Sequence, residues 1–190
     1  IKSEFSKLSE LFLELRQSAG PIRQAAETCI EALRAGKKLI FCGNGGSAAD
    51  AQHLAAEMIG RYKLERDALP AIALSADTSV LTAVANDYGY ALTFRRQIDG
   101  LGATGDVLVA MSTSGNSPNV VEAVVRAKEK GIRTVGLTGS GGGRLAELCD
   151  LAIRVPAHAA NTVQELHIAV GHVLCDLIES AICHEKSALS

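Results

Sequence analysis

From residue 37 onward the chain alternates between short, continuously apolar runs and segments of helical periodicity. The runs fall at Lys38–Cys42, Ala71–Leu74, Val107–Met111, Thr134–Leu137 and Ala152–Val155. Helical spacing appears near Ala48–Arg61, Val80–Asn86, Leu92–Leu101, Pro118–Lys130 and Arg144–Cys149, and a last long helix covers roughly Thr162–Cys183. A strand with one face in water alternates apolar and polar side chains, whereas one that is apolar throughout is covered on both faces. The alternation therefore predicts an α/β three-layer sandwich, a five-stranded parallel sheet flanked by helices.

Ahead of the first strand, Phe5, Leu8, Leu11, Phe12 and Leu15 fall at helical spacing. Gly20-Pro21 is expected to interrupt that helix. Ile22, Ala25, Ala26, Cys29, Ile30 and Leu33 mark a second, closed by Gly36 at the C′ position. Residues 1–36 thus form an N-terminal helical pair, packing either on a neighbouring subunit or on its own sheet. Residues 37–190 form the core, and with no linker or low-complexity tract the 190 residues read as one domain.

Composition removes several function classes. The formal net charge is −2 with no basic stripe, so nucleic-acid binding has no electrostatic support. No apolar run approaches the roughly 18 residues of a membrane span, and IKSEFSKLSE lacks a signal-peptide core. Cys29, Cys42, Cys149, Cys175 and Cys183 are scattered without CxxC spacing. They read as reduced thiols of a cytoplasmic protein rather than a structural zinc site.

Two loops carry candidate chemistry. Gly43–Ala48, after the first strand, matches GxGxxA, so a dinucleotide fingerprint has to be weighed. That fingerprint wants an acid about 20 positions on, whereas the second strand here ends at Ser75-Ala76-Asp77, about 30 past the loop. Asn44 and Ser47 instead offer polar side chains beside a helix N-terminus, where backbone N–H groups also bind anions. After the third strand, Ser112, Thr113, Ser114 and Ser117 place four hydroxyls within six residues. Ser117 is the expected N-cap and Pro118 the first helical residue. Capping uses one hydroxyl only, and the set can surround a phosphate with neutral donors aided by the helix dipole.

His53 and Glu57 lie four residues apart on the helix that follows the first loop, hence on one face. In the last helix, Gln164 and His172 lie eight apart, about 80° around the axis, and line one broad face; His167 points elsewhere, as a packing residue. Two imidazoles, a carboxylate and an amide oxygen would make a four-ligand site suited to Zn²⁺, although nothing local brings the two helices together.

CGNGGSAADAQHLAAE, AVANDYGY, STSGNSPN, LTGSGGG and VQELHIAVGH, in this order, resemble the phosphoheptose isomerases of the sugar-isomerase (SIS) family over nearly the whole chain. The resemblance implies a flavodoxin-like SIS domain in a cytoplasmic homotetramer. It also implies an enzyme interconverting sedoheptulose 7-phosphate and D-glycero-D-manno-heptose 7-phosphate, the first step toward activated heptoses of lipopolysaccharide and other surface glycans. By motif position, Ser112, Thr113, Ser114 and Ser117 would hold the phosphate. Asn44, Gly45, Gly46 and Ser47 would contact the sugar chain, with Asn86 and Asp87 nearby. His53, Glu57, Gln164 and His172 would bind one zinc per subunit, Glu57 and Gln164 would also meet substrate, and Glu57 and His172 would be the proton-transfer pair. Many members carry Arg two residues before the Gln; here Asn161-Thr162 stands instead, and Arg61 could supply the positive charge. The rival reading is a non-enzymatic SIS-domain protein binding the bacterial replication initiator, a group lacking the acid and imidazole that Glu57 and His172 provide.

Overall fold

Apolar runs that expose neither face can form only the middle of a layered structure, and the five runs do so. The computed structural model describes residues 1–188, with side chains through Cys183. Strands β1 (Leu39–Cys42), β2 (Ala71–Ala73), β3 (Val107–Ser112), β4 (Arg133–Thr138) and β5 (Leu151–Arg154) pair in parallel in the order β2-β1-β3-β4-β5. Helices are α1 (Lys2–Leu15), α2 (Ala19–Arg34), α3 (Gly46–Ile59), α4 (Thr78–Tyr88), α5 (Thr93–Leu101), α6 (Pro118–Glu129), α7 (Gly143–Leu148) and α8 (Ala160–Ala188).

Alternate strand residues face opposite layers. Leu39, Phe41, Val107, Val109 and Met111 pack with α2, α3 and α8. Ile40, Cys42, Leu108 and Ala110 pack with α5, α6 and α7. β1 and β3 are neighbours, yet β1 continues into α3 on one face and β3 into α6 on the other. Their connections diverge, so a crevice opens at their carboxyl ends, the usual ligand position in this strand order. Both loops singled out from sequence flank it. The order is not that of the dinucleotide fold, and Asp77 caps α4, accepting from the Val80 N–H at 2.9 Å. The nucleotide reading therefore falls.

The N-terminal pair divides its tasks. α2 packs on the sheet through Ile22, Ala25, Ala26 and Cys29, while α1 buries only Leu15 and leaves Phe5, Phe12 and Leu13 exposed. Gly20-Pro21 does not make the break; the helix tightens to 3₁₀ geometry at Arg16–Ser18 instead. Pro21 then sits in the first turn of α2, where N–H groups have no intrahelical partner and none is lost. Gly36 closes α2 as expected: its N–H reaches Leu33 O and that of Lys37 reaches Ala32 O.

Helix α8 corrects the composition-based expectation, because its stretch Ala160–Cys183 is long and apolar enough to cross a membrane. It packs instead against α2 and α3, and its buried Glu179 pairs with Arg66 at 3.0 Å. These are the marks of a core helix.

His167, on α8, is fully buried, with neither ring nitrogen hydrogen-bonded. Burial pushes its pKa down to about 4 from 6.5 and outweighs the opposing influence of the Thr138 backbone. Between those values the unfolded chain binds more protons, so stability falls as pH falls through the window. From pH 7.5 to 5 the loss from this group is about 2 kcal/mol. Thermal melting across that range should show a correspondingly flatter pH dependence in His167→Leu. An unchanged slope would remove His167 as its source.

Candidate active site

The β1–α3 turn passes through Gly45, whose φ of +56° is open to glycine at little cost, and Gly46 starts α3. The first-turn N–H groups of α3, beginning with Gly46 and Ser47, have no intrahelical carbonyl to meet and point toward the crevice end of β1. Asn44 is already engaged. It exchanges two 2.8 Å hydrogen bonds with buried Asn119 of α6, and its Oδ1 also accepts from the Tyr90 hydroxyl at 2.9 Å. This network ties the first loop to the second across the crevice. Neither Asn119 nor Tyr90 was singled out from sequence, although both lie in quoted motifs, STSGNSPN and AVANDYGY.

In the second loop, three hydroxyls converge. Ser112 Oγ lies 2.9 Å from Ser117 Oγ and 3.5 Å from Ser114 Oγ. Ser117 holds the N-cap position with Pro118 following, as expected, but its side chain makes no capping bond and turns to Ser112 instead. The hydroxyls are thus gathered at the N-terminus of α6. Thr113 contributes its carbonyl to the Gly139 N–H at 3.1 Å. The loop is braced from behind by the β4–α7 turn: Leu145 N–H donates to Gly115 O at 2.9 Å and Arg144 N–H to Asn116 Oδ1 at 3.0 Å.

His53 and Glu57 project from one face of α3, with Nε2 to Oε1 at 3.3 Å. His172, 119 residues later on α8, brings its Nε2 to 2.9 Å from that of His53. A zinc–nitrogen bond of about 2.0–2.1 Å sets adjacent tetrahedral corners about 3.3 Å apart, comparable with the separations of His53 from Glu57 and from His172. They touch one another rather than standing around a gap, and among the described residues no three His, Cys, Asp or Glu form a ready metal cage. What brings the helices so close is Gly171: a Cβ there would lie 2.6 Å from Leu54 Cδ2.

Gln164 lies elsewhere on the same helix pair. A Cβ on Gly46 would come 2.5 Å from Gln164 Oε1, so its amide rests on the start of α3. His53 is seven residues further along α3, about 10 Å by helical rise, and Gln164 does not hydrogen-bond His53, Glu57 or His172. Asn86 and Asp87 are exposed at the end of α4 and bond each other at 2.8 Å. Arg61 is exposed beyond α3, its Nε 3.8 Å from Glu65. The structure therefore unites His53, Glu57 and His172, gathers Ser112, Ser114 and Ser117, and leaves Asn86, Asp87 and Arg61 outside both clusters.

Sequence reasoning missed a third group altogether. Tyr62 stacks on His172, with ring centroids 5.6 Å apart and planes 26° apart, and the backbone beyond it is held by Glu179.

Known proteins are similar to this chain over most of its length. The SIS domain family model matches residues 5–139. The chain is 54% identical over 182 residues to phosphoheptose isomerase from Akkermansia muciniphila, covering 96% of each chain. It is 57% identical over 175 residues to that of Rhodospirillum rubrum, covering 92% of this chain and 93% of the relative. The structure of phosphoheptose isomerase GmhA from Neisseria gonorrhoeae superposes with a TM-score of 0.89 at 44% identity, covering 94% of this chain and 96% of that one. With its doubly covered parallel sheet, its paired loops and this near-full-length similarity, the chain belongs to the phosphoheptose isomerases of the SIS-domain family.

Proposed function

We propose that this chain converts sedoheptulose 7-phosphate to D-glycero-D-manno-heptose 7-phosphate, as an aldose–ketose isomerase of heptose biosynthesis. Identity of 54–57% over more than nine-tenths of the chain carries this reading. The non-enzymatic, initiator-binding alternative is not favoured, because Glu57 and His172 are both present and meet around His53.

The residue roles are those that motif position implies, and the clustering of Ser112 with Ser114 and Ser117 and of His53 with Glu57 and His172 supports them. Ser112, Thr113, Ser114 and Ser117 take the phosphate at the N-terminus of α6, where helix dipole and hydroxyls together replace a cationic side chain. Asn44, Gly45, Gly46 and Ser47 line the sugar chain, with Gln164 resting on Gly46, while Asn86, Asp87 and Arg61 are assigned to substrate by motif position alone. Anchoring the far end places C1 and C2 beside Glu57 and His172, so remote binding energy serves positioning. Isomerisation moves a proton between those carbons through an enediol or enediolate, which needs a base at carbon and an acid/base at oxygen. A carboxylate and an imidazole are matched to those tasks.

The donor set of His53, Glu57, Gln164 and His172 fits one Zn²⁺ per subunit, two nitrogens and two oxygens being a borderline-soft combination. The closeness of His53 to both Glu57 and His172 supports this, and Gln164 would have to swing from Gly46 to join. Bound there, zinc would polarise the substrate carbonyl as a Lewis acid. Self-association, which we assign as a homotetramer from the family resemblance, is supported by exposed Phe5, Phe12 and Leu13 on α1 and by Val173 and Leu177 on α8, which share an apolar groove with Leu15 and Ile22. We further assign the enzyme to the cytoplasm, to the route toward lipopolysaccharide and other surface glycans, and to one SIS domain whose residues 1–36 make oligomer contacts.

The direct test is to incubate the purified protein with sedoheptulose 7-phosphate and follow heptose formation. Conversion is expected, with loss on chelation and recovery on adding zinc. No conversion by zinc-loaded protein would refute the activity, and full conversion after chelation would refute the metal.

A further inference from the structure

Residues 60–70 join α3 to β2 without regular structure, yet they are tied down at buried charged groups. Glu179 Oε1 accepts from the Tyr62 N–H at 2.9 Å and Arg66 Nε at 3.0 Å. Its Oε2 accepts from the N–H groups of Lys63 at 2.6 Å and Leu64 at 2.8 Å. The side chains of Arg66 and Glu179 are only 3% and 1% exposed. Burial alone would raise the Glu179 pKa; the three backbone donors and Arg66 outweigh it and hold the carboxyl below its ordinary range. Arg66 also donates to the carbonyls of Glu57 at 2.8 Å and Met58 at 2.9 Å, which lack helical partners at the end of α3.

One stripe of α8 therefore docks this segment. Going along the helix, His172 meets the Tyr62 ring, Asp176 pairs with Lys63 at 3.0 Å, and Glu179 grips the backbone. The same strap reaches both residues assigned to proton transfer, through the Glu57 carbonyl and the face of the His172 ring.

We propose that the Glu179–Arg66 strap positions the His172 imidazole, holding the Tyr62 ring against one face so that Nε2 stays aimed at His53 and Glu57. It rests on His172 acting in the reaction. A ring clamped on one face by a stacked aromatic and met edge-on by His53, with centroids 5.1 Å apart, has little freedom to turn about χ2. Tyr62 and Glu179 act through the His172 ring and the strap backbone, so both are positioning residues.

The test compares Tyr62→Leu, Tyr62→Phe and Glu179→Gln with His172→Gln in the zinc-loaded enzyme. Tyr62→Leu is expected to lower kcat by about 10- to 100-fold with KM within about twofold, up to the scale of a catalytic group misplaced by about 1 Å. Tyr62→Phe keeps the stack and restores kcat. Glu179→Gln, if folded, should follow Tyr62→Leu, because an amide can accept at one atom only. In metal-free protein, the His172 ring protons should lose their ring-current shift in Tyr62→Leu and keep it in Tyr62→Phe. Unchanged kcat in folded Tyr62→Leu, or a lower melting temperature as its sole effect, would overturn the proposal. Wild-type activity in His172→Gln would instead remove the premise and the role of His172 with it.

Discussion

Turnover of His172→Gln is expected to fall at least ~100-fold, the scale of losing a positioned acid/base, while the fold is kept. The ring lies at the surface of α8, half-buried between His53 and Tyr62, so its replacement leaves no cavity in the core. Glutamine keeps a polar atom at similar reach but cannot exchange a proton near neutral pH. Glu57→Gln is expected to act alike, since it removes the carboxylate 3.3 Å from His53 and preserves side-chain shape. Steady-state kinetics with circular dichroism separates lost chemistry from lost structure, and zinc content separates lost proton transfer from lost metal. Near-wild-type turnover in either folded variant would end the assignment of that residue.

Gly171→Val is expected to damage both stability and catalysis. A Cβ at this position would sit 2.6 and 2.8 Å from the two methyls of Leu54, which is itself 1% exposed and closely packed. Leu54 cannot swing into solvent, so α8 must shift away from α3. Overpacking of this kind costs about 3 kcal/mol, or roughly 6–12 °C in melting temperature for a chain of this size. Leu54 adjoins His53 and Gly171 adjoins His172, so the same shift separates the two imidazoles now 2.9 Å apart. Activity should therefore fall well beyond what the unfolded fraction explains. A folded valine variant with normal kcat would show that the helix spacing is not what sets the site.

The fold was legible because buried parallel strands leave an unmistakable trace: Val107–Met111 has no polar residue to place in water. Helix ends were legible where chemistry is local, as at Gly36 and Ser117-Pro118. Half of the site was legible for the same reason, since His53 and Glu57 share a helix face by spacing alone. Their meeting with His172 was not, because contact between residues 119 apart depends on two helices packing, and only family resemblance pointed to it. Asn119 bonding Asn44 is equally non-local, across 75 residues. The Glu179 strap escaped for a different reason: three of its partners are backbone N–H groups, which every residue but proline carries, and the fourth, Arg66, lies 113 residues away.

The two helices that make the site come from distant parts of the chain, and this bears on synthesis. When β5 has formed, the nascent protein holds its whole sheet and both crevice loops. Still missing is α8, which covers Phe41, Val109 and Leu54 and supplies His172. Until that helix leaves the ribosome, one apolar face of the sheet is only partly covered and a ready surface for aggregation. Docking of α8 thus finishes the core and the His53–Glu57–His172 cluster in one event. A chain stopped before α8 would be a burden on chaperones rather than a weak enzyme.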